Sequence, residues 1–141
     1  MKEINGKTYE ENKPHTMQEL QEIIHILRSP EGCPWDREQT LDSLKKCLTD
    51  ETEEVLEAID KKDHKNLCEE LGDVLLQVLL QSEIAREEGW FSFEDVVQVL
   101  SDKMIRRHPH VFGDMDMLES ADDTLDIWKQ IKEQEKRNKS K

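Results

Sequence analysis

Glu69-Glu70-Leu71-Gly72-Asp73-Val74-Leu75-Leu76-Gln77-Val78-Leu79-Leu80 decides how this 141-residue chain folds. Leu67, Leu71, Val74, Leu75, Val78 and Leu79 recur every three to four residues, which is the period of a helix and not of a strand. From Val74 to Leu80 only Gln77 interrupts the apolar run, so most sides of that helix require burial. The spacing predicts a helix capped by Asp63, running to about Glu88, stopped by Gly89 and lying at the centre of a bundle. Just upstream, Leu41, Leu44, Leu48, Val55, Leu56 and Ile59 predict a helix over 40–61. So few residues join the two that they must lie antiparallel. Farther out, Thr16 with Glu19 has the capping-box spacing and opens a helix to Arg28, with Leu20, Ile23, Ile24 and Leu27 inward. Pro30, Gly32 and Pro34 end it. Ser92 with Asp95 opens another, with Phe93, Val96, Val97, Leu100, Met104 and Ile105 on its inner face, ended by Pro109. An acidic loop over 111–123 leads to a last helix over 124–137 carrying Leu125, Trp128 and Ile131. No strand is expected. The result is an all-α antiparallel bundle of four to five helices in one domain, 16–137, after a flexible arm, 1–15, and before a basic tail, 138–141.

Composition agrees and excludes other classes. Gly and Pro total 9, and charged residues reach 38%, which favours long helices. No apolar run approaches the roughly 20 residues of a membrane span, and no signal-peptide segment opens the chain. Cys33, Cys47 and Cys68 are odd in number with no C-x-x-C pair, as expected of reduced thiols in a cytoplasmic protein. A net charge of −13 disfavours nucleic acid as a partner. It disfavours phosphorylated small molecules equally, unless divalent cations or a local basic cluster intervene.

Both are on offer. Asp50-Glu51-Thr52-Glu53-Glu54 lies on one of the two antiparallel helices and Glu70 and Asp73 on the other. Residues three apart share a helix face, so Glu51 with Glu54 and Glu70 with Asp73 can converge. Four carboxylates so close repel one another unless a cation sits among them, and hard Mg²⁺ or Mn²⁺ suits an all-oxygen set. The same spacing also fits a solvated acidic face, but the apolar stripe runs through both acidic stretches, and Gly72 inside a helix suggests a close approach or a ligand. Lys103, Arg106 and Arg107 form the densest basic patch in the predicted fold. They suit phosphate oxygens, or alternatively compensate a helix C-terminus. His108 and His110 read as loop histidines. Trp35 and Arg37 stand on a rigid loop, where Trp35 either stacks on a base or plugs the end of the bundle. Trp128 and Lys132 offer a further basic edge.

Gly-Cys-Pro-Trp-Asp-x-x-Gln-Thr from Gly32, Glu-Glu-Leu-Gly-Asp from Glu69 and the specific run Asp102-Lys-Met-Ile-Arg-Arg-His-Pro-His-Val-Phe-Gly113 closely resemble the MazG family of nucleoside triphosphate pyrophosphohydrolases. The likeness covers about residues 17–132. It implies an all-α dimer or tetramer that uses Mg²⁺ to cleave a nucleoside triphosphate to the monophosphate and pyrophosphate, and house-cleaning of non-canonical nucleotides falls within that class. It implies metal ligation by Glu51, Glu54, Glu70 and Asp73. The family's Glu-Glu-x-x-Glu motif reads Asp50-Glu51-x-x-Glu54 here, a departure at the position assigned to water activation. Asp50 or Glu53 is then the expected base beside Glu51. Lys103, Arg106 and Arg107 are expected on the outer phosphates, and Trp35, Arg37, Trp128 and Lys132 complete the substrate-binding set. Two other readings are a non-catalytic nucleotide-sensing module of the same fold and a di-iron bundle. The latter has only Glu22-Ile-Ile-His25 to offer.

Overall fold

The Thr16 hydroxyl accepts from the Glu19 backbone N–H at 3.1 Å and starts α1, Met17–Arg28, in the computed structural model, which describes residues 1–139. Only half of the expected capping box is used for capping, because the Glu19 carboxylate pairs with Lys7 at 3.2 Å. Lys7 belongs to a feature the sequence reading lacked. β1, Glu3–Ile4, and β2, Lys7–Thr8, pair antiparallel with Glu3 opposite Thr8. Asn5 and Gly6 both take positive φ, 54° and 78°, as a two-residue hairpin turn demands. Lys7 also reaches Glu22 at 3.3 Å, so the hairpin is fastened to α1.

After α1 the chain doubles back, and the Cys33 N–H donates to the Leu27 carbonyl at 2.8 Å. A Cβ on Gly32 would lie 2.1 Å from the Ile26 carbonyl oxygen, so glycine is required there. The stretch expected as a loop then forms a short helix, α2, Pro34–Glu38. Proline at the first helical position supplies the right φ and lacks only an N–H that would be unpaired anyway. α3, Leu41–Asp60, opens on a full capping box between Thr40 and Ser43. α4, His64–Glu87, opens on Asp63, whose side chain accepts from the Asn66 N–H at 3.1 Å. Both helices end in the same left-handed motif. Lys62 at φ 54° and Gly89 at φ 76° let Asp63 and Trp90 donate back to Ala58 and Ala85 at 3.0 and 2.9 Å.

α3 packs along α4, α1 against α4, and α2 against α1. The core is Ile24, Leu44, Ala58, Leu79, Leu80, Ile84 and Ala85. Its α4 portion spans 79–85, later than the apolar run at 74–80 suggested, and Leu71 and Val78 are exposed. The reason is coverage by α1, which meets the later half of α4, where His25 pairs with Glu83 at 2.7 Å and Arg28 with Glu87 at 2.9 Å.

Met1–Trp90 forms one compact unit and Phe91–Lys141 a second. In the second, α5, Phe93–Arg106, opens on the expected Ser92–Asp95 capping box. α6, Pro109–Phe112, is again a proline-led helix in a stretch expected to be irregular. α7, Ala121–Lys139, begins three residues before the expected Thr124, because Ser120 accepts from the Asp123 N–H at 3.2 Å. No residue of α5 is buried, and Val97, Leu100 and Ile105, expected to face inward, are exposed. The fold is all-α apart from the hairpin. Among the described residues no helix is long and apolar enough to cross a membrane.

Candidate metal centre

One carboxylate oxygen from each of Glu51, Glu54, Glu70 and Asp73 lies within 4.8 Å of the other three. α3 supplies the first pair and α4 the second. Three-residue spacing aligns each pair on one face, and the antiparallel link sets Glu51 beside Asp73 and Glu54 beside Glu70. This is the only such group of His, Cys, Asp or Glu side chains among the described residues.

The electrostatics are those of a site lacking positive charge. Glu51 Oε2 and Glu70 Oε2 are buried and have no hydrogen-bond partner among the described residues. The Glu70 carboxyl is pushed up to about 7, first by the hydrogen bond it offers Glu54 when protonated, then by burial and by the Glu54 and Asp73 charges. Burial, followed by the charges of Asp73 and Glu54, raises Glu51 as well. Four hard oxygen donors, two of them unpaired, fit a divalent cation of the Mg²⁺ or Mn²⁺ type.

The remaining candidates lie outside this set of four. Asp50 forms an ion pair with Lys46 at 3.2 Å, and Glu53 is exposed. Gly72 makes no close approach, since a Cβ there would meet nothing within 4 Å. Trp35 is 55% exposed, so it does not plug the bundle. Its helix α2 is nonetheless held firmly. Arg28 Nη1 donates to the Asp36 and Gln39 carbonyls at 2.6 and 3.1 Å, Gln39 Nε2 donates to the Trp35 carbonyl at 2.9 Å, and Arg37 donates to the Pro30 carbonyl. Glu22 and His25, the sparse di-iron signal, are engaged elsewhere, with Lys7 and with Glu83.

In the second unit, Arg106 and Arg107 converge on Glu135, at 2.7 and 3.0 Å. Their hydrogen bonds, that of Arg107 foremost, hold the Glu135 carboxyl down at about 2. Sequence reasoning missed Glu135, which lies 28 residues from Arg107 with no local pattern to connect them. Lys103 is half-buried on α5 and Lys132 exposed on α7. Trp128 meets His108 edge to face, with ring centroids 5.2 Å apart. The His108 Nδ1–H donates to the Met104 carbonyl at 2.6 Å, which fixes its tautomer. The carboxylates are thus gathered within one unit and most of the basic candidates within the other.

Residues 39–112 match the family model of the MazG nucleotide pyrophosphohydrolase domain, a span holding all four carboxylates and the basic motif. This chain belongs to that family. A nucleoside triphosphate pyrophosphohydrolase/pyrophosphatase MazG from Thermotoga maritima is 53% identical over 122 residues, covering 86% of this chain and 46% of that one. The nucleoside triphosphate pyrophosphohydrolase of Escherichia coli is 46% identical over 119 residues, covering 84% and 45%. An uncharacterised Bacillus subtilis protein, YabN, is 49% identical over 122 residues, covering 86% and 25%. The chain therefore spans a quarter to about half the length of these relatives. The crystal structure of a mazG-related protein from Thermotoga maritima superposes with a TM-score of 0.69 at 34% identity, over 83% of this chain and 99% of that one.

Proposed function

We propose that this MazG domain is a Mg²⁺-dependent nucleoside triphosphate pyrophosphohydrolase that releases the nucleoside monophosphate and pyrophosphate. The observation that carries the reading is the convergence of Glu51, Glu54, Glu70 and Asp73 within 4.8 Å, with two buried oxygens unpaired. Family membership and the printed activity of the Thermotoga and Escherichia relatives support it.

The four carboxylates would hold the cation. When bound, Mg²⁺ would neutralise triphosphate charge and make water a stronger acid. The chain's own residues supply the rest. Asp50, or Glu53, accepts a proton from the attacking water. The water oxygen bonds to the α-phosphorus, the α–β bridging bond breaks, and pyrophosphate leaves with the bridging oxygen. Lys103, Arg106 and Arg107 bind the β- and γ-phosphate oxygens, which carry the growing charge of the leaving group. Trp35 stacks on the base, with Arg37, Trp128 and Lys132 completing the substrate contacts. The protein acts as a homo-oligomer in the cytoplasm, and aberrant nucleotides are among its substrates.

The test is product identity. A panel of canonical and modified triphosphates should yield monophosphate and pyrophosphate with Mg²⁺ and nothing with chelator. Glu54→Ala and Asp73→Ala should abolish turnover with the helical circular dichroism intact. Release of nucleoside diphosphate and inorganic phosphate, or turnover without metal, refutes the proposal.

A further inference from the structure

Gln77 is the only polar residue in the run from Val74 to Leu80, and the structure gives it an unusual position. It is 5% exposed, and its Oε1 is buried with no hydrogen-bond partner among the described residues. An unpaired buried acceptor is costly, so native proteins rarely leave one without a partner. The other buried polar side chain of α4 shows the usual solution, with the Ser82 hydroxyl donating to the Val78 carbonyl at 2.7 Å.

The position of Gln77 on α4 says where its partner belongs. It follows Glu70 by seven residues and Asp73 by four, so all three share one helix face. Four residues of helix rise about 6 Å, a gap that a glutamine side chain and one water can bridge together. Helical side chains lean toward the N-terminus of their helix, which from Gln77 is toward Asp73 and Glu70. The four carboxylates cannot supply the missing donor while ionised. The geometry points to Gln77 as a positioning residue of the carboxylate centre: its amide oxygen accepts a hydrogen bond from a water of the hydrated divalent cation held by Glu51, Glu54, Glu70 and Asp73. The inference rests on the metal reading of the proposed function. Such outer contacts fix the orientation of what the ligands hold, and losing one commonly costs 10–100-fold in metal affinity.

Mn²⁺ serves as the probe, with its free concentration followed by electron paramagnetic resonance and no nucleotide present. Wild type, Glu54→Ala, Gln77→Met and Gln77→Glu are compared, together with their metal-free melting midpoints. Gln77→Met keeps the length and volume and removes the acceptor. It should weaken Mn²⁺ binding by about tenfold. It should also raise the metal-free midpoint, because a buried unpaired oxygen has been replaced by apolar atoms. Gln77→Glu restores an acceptor at the same reach and should recover the affinity. Equal Mn²⁺ affinity in wild type and Gln77→Met overturns the inference alone. So does a lowered metal-free midpoint or failure of Gln77→Met to fold, since the amide would then be holding the protein together and not awaiting a ligand. Absence of Mn²⁺ binding by wild type overturns the metal reading and this inference with it.

Discussion

Glu70 is the residue whose ionisation most directly exposes the character of the site. Its carboxyl, ordinarily at 4.5, is raised to about 7 by its contact with Glu54, by burial and by Asp73. Between those values the folded protein keeps a proton that the unfolded chain has lost. Stability without metal should therefore fall as pH rises through that window and level off above it. Glu70→Gln should remove part of the slope, and saturating Mg²⁺ should remove it in wild type by taking the proton's place. An unaltered slope in Glu70→Gln would trace the effect to the net charge of −13 instead. Gly72 gives a second, purely structural test. Its side-chain direction is open to 4 Å, and glycine inside a helix costs about 0.5–1 kcal/mol relative to alanine. Gly72→Ala should raise the melting midpoint of the isolated chain accordingly. A lowered midpoint would mean that a second copy packs against this point. The four carboxylates were legible in the sequence because their spacing is local and the short 61–63 link leaves one orientation for α3 and α4. The reason for Gly72 was not, since a glycine in a sequence does not say whether a neighbour approaches.

Among the elements, caps were legible and proline-led helices were not. Thr40, Asp63 and Ser92 start helices where the sequence placed them, because an N-cap is a contact over three residues. α2 and α6 were hidden by reading Pro34 and Pro109 as breakers when both occupy a first turn. The Asn5-Gly6 turn signal carries the hairpin, although the two strands it joins are only two residues each. α2 depends on Arg28, whose guanidinium joins two carbonyls near its end to Glu87 on α4. Arg28→Ala should destabilise the protein by about 2 kcal/mol, the loss of a charge-assisted contact. Hydrogen exchange should quicken in residues 34–39 before it does in α3, and uniform quickening would deny α2 its separate anchor. The α5–α7 pairing bears on the phosphate assignment. Arg106 already has Glu135 for a partner, but its side chain is half exposed, and such a pair contributes about 0–1 kcal/mol. If Arg106 and Lys103 also hold a triphosphate, replacing either by Ala should lower kcat/KM roughly tenfold to several hundredfold with little change in stability. Unchanged kcat/KM with a lowered midpoint would leave them a helix-end role alone.

At the scale of the whole molecule, apolar surface is left over. Leu56 and Ile59 on α3 and Leu71 on α4 are each more than half exposed, although the sequence pattern assigns all three to a buried stripe. On α5, Val97, Leu100, Met104 and Ile105 recur at helical spacing, and all four are exposed. A helix keeps such a stripe when something covers it, and contiguous exposed patches of this kind mark association surfaces. The pattern was legible in the sequence, but what covers it was not, because periodicity names the face and never the partner. A second copy of the chain is the expected cover, through a closed, symmetric interface. Sedimentation at micromolar concentration should give at least a dimer. Leu100→Glu places a charge within the α5 stripe and should shift the chain toward monomer while its helical circular dichroism persists. Turnover should fall along with the dimer fraction if the active site needs both copies. A wild-type chain that sediments as a monomer at micromolar concentration and turns over fully would show that these faces need no cover, and the association argument would fail.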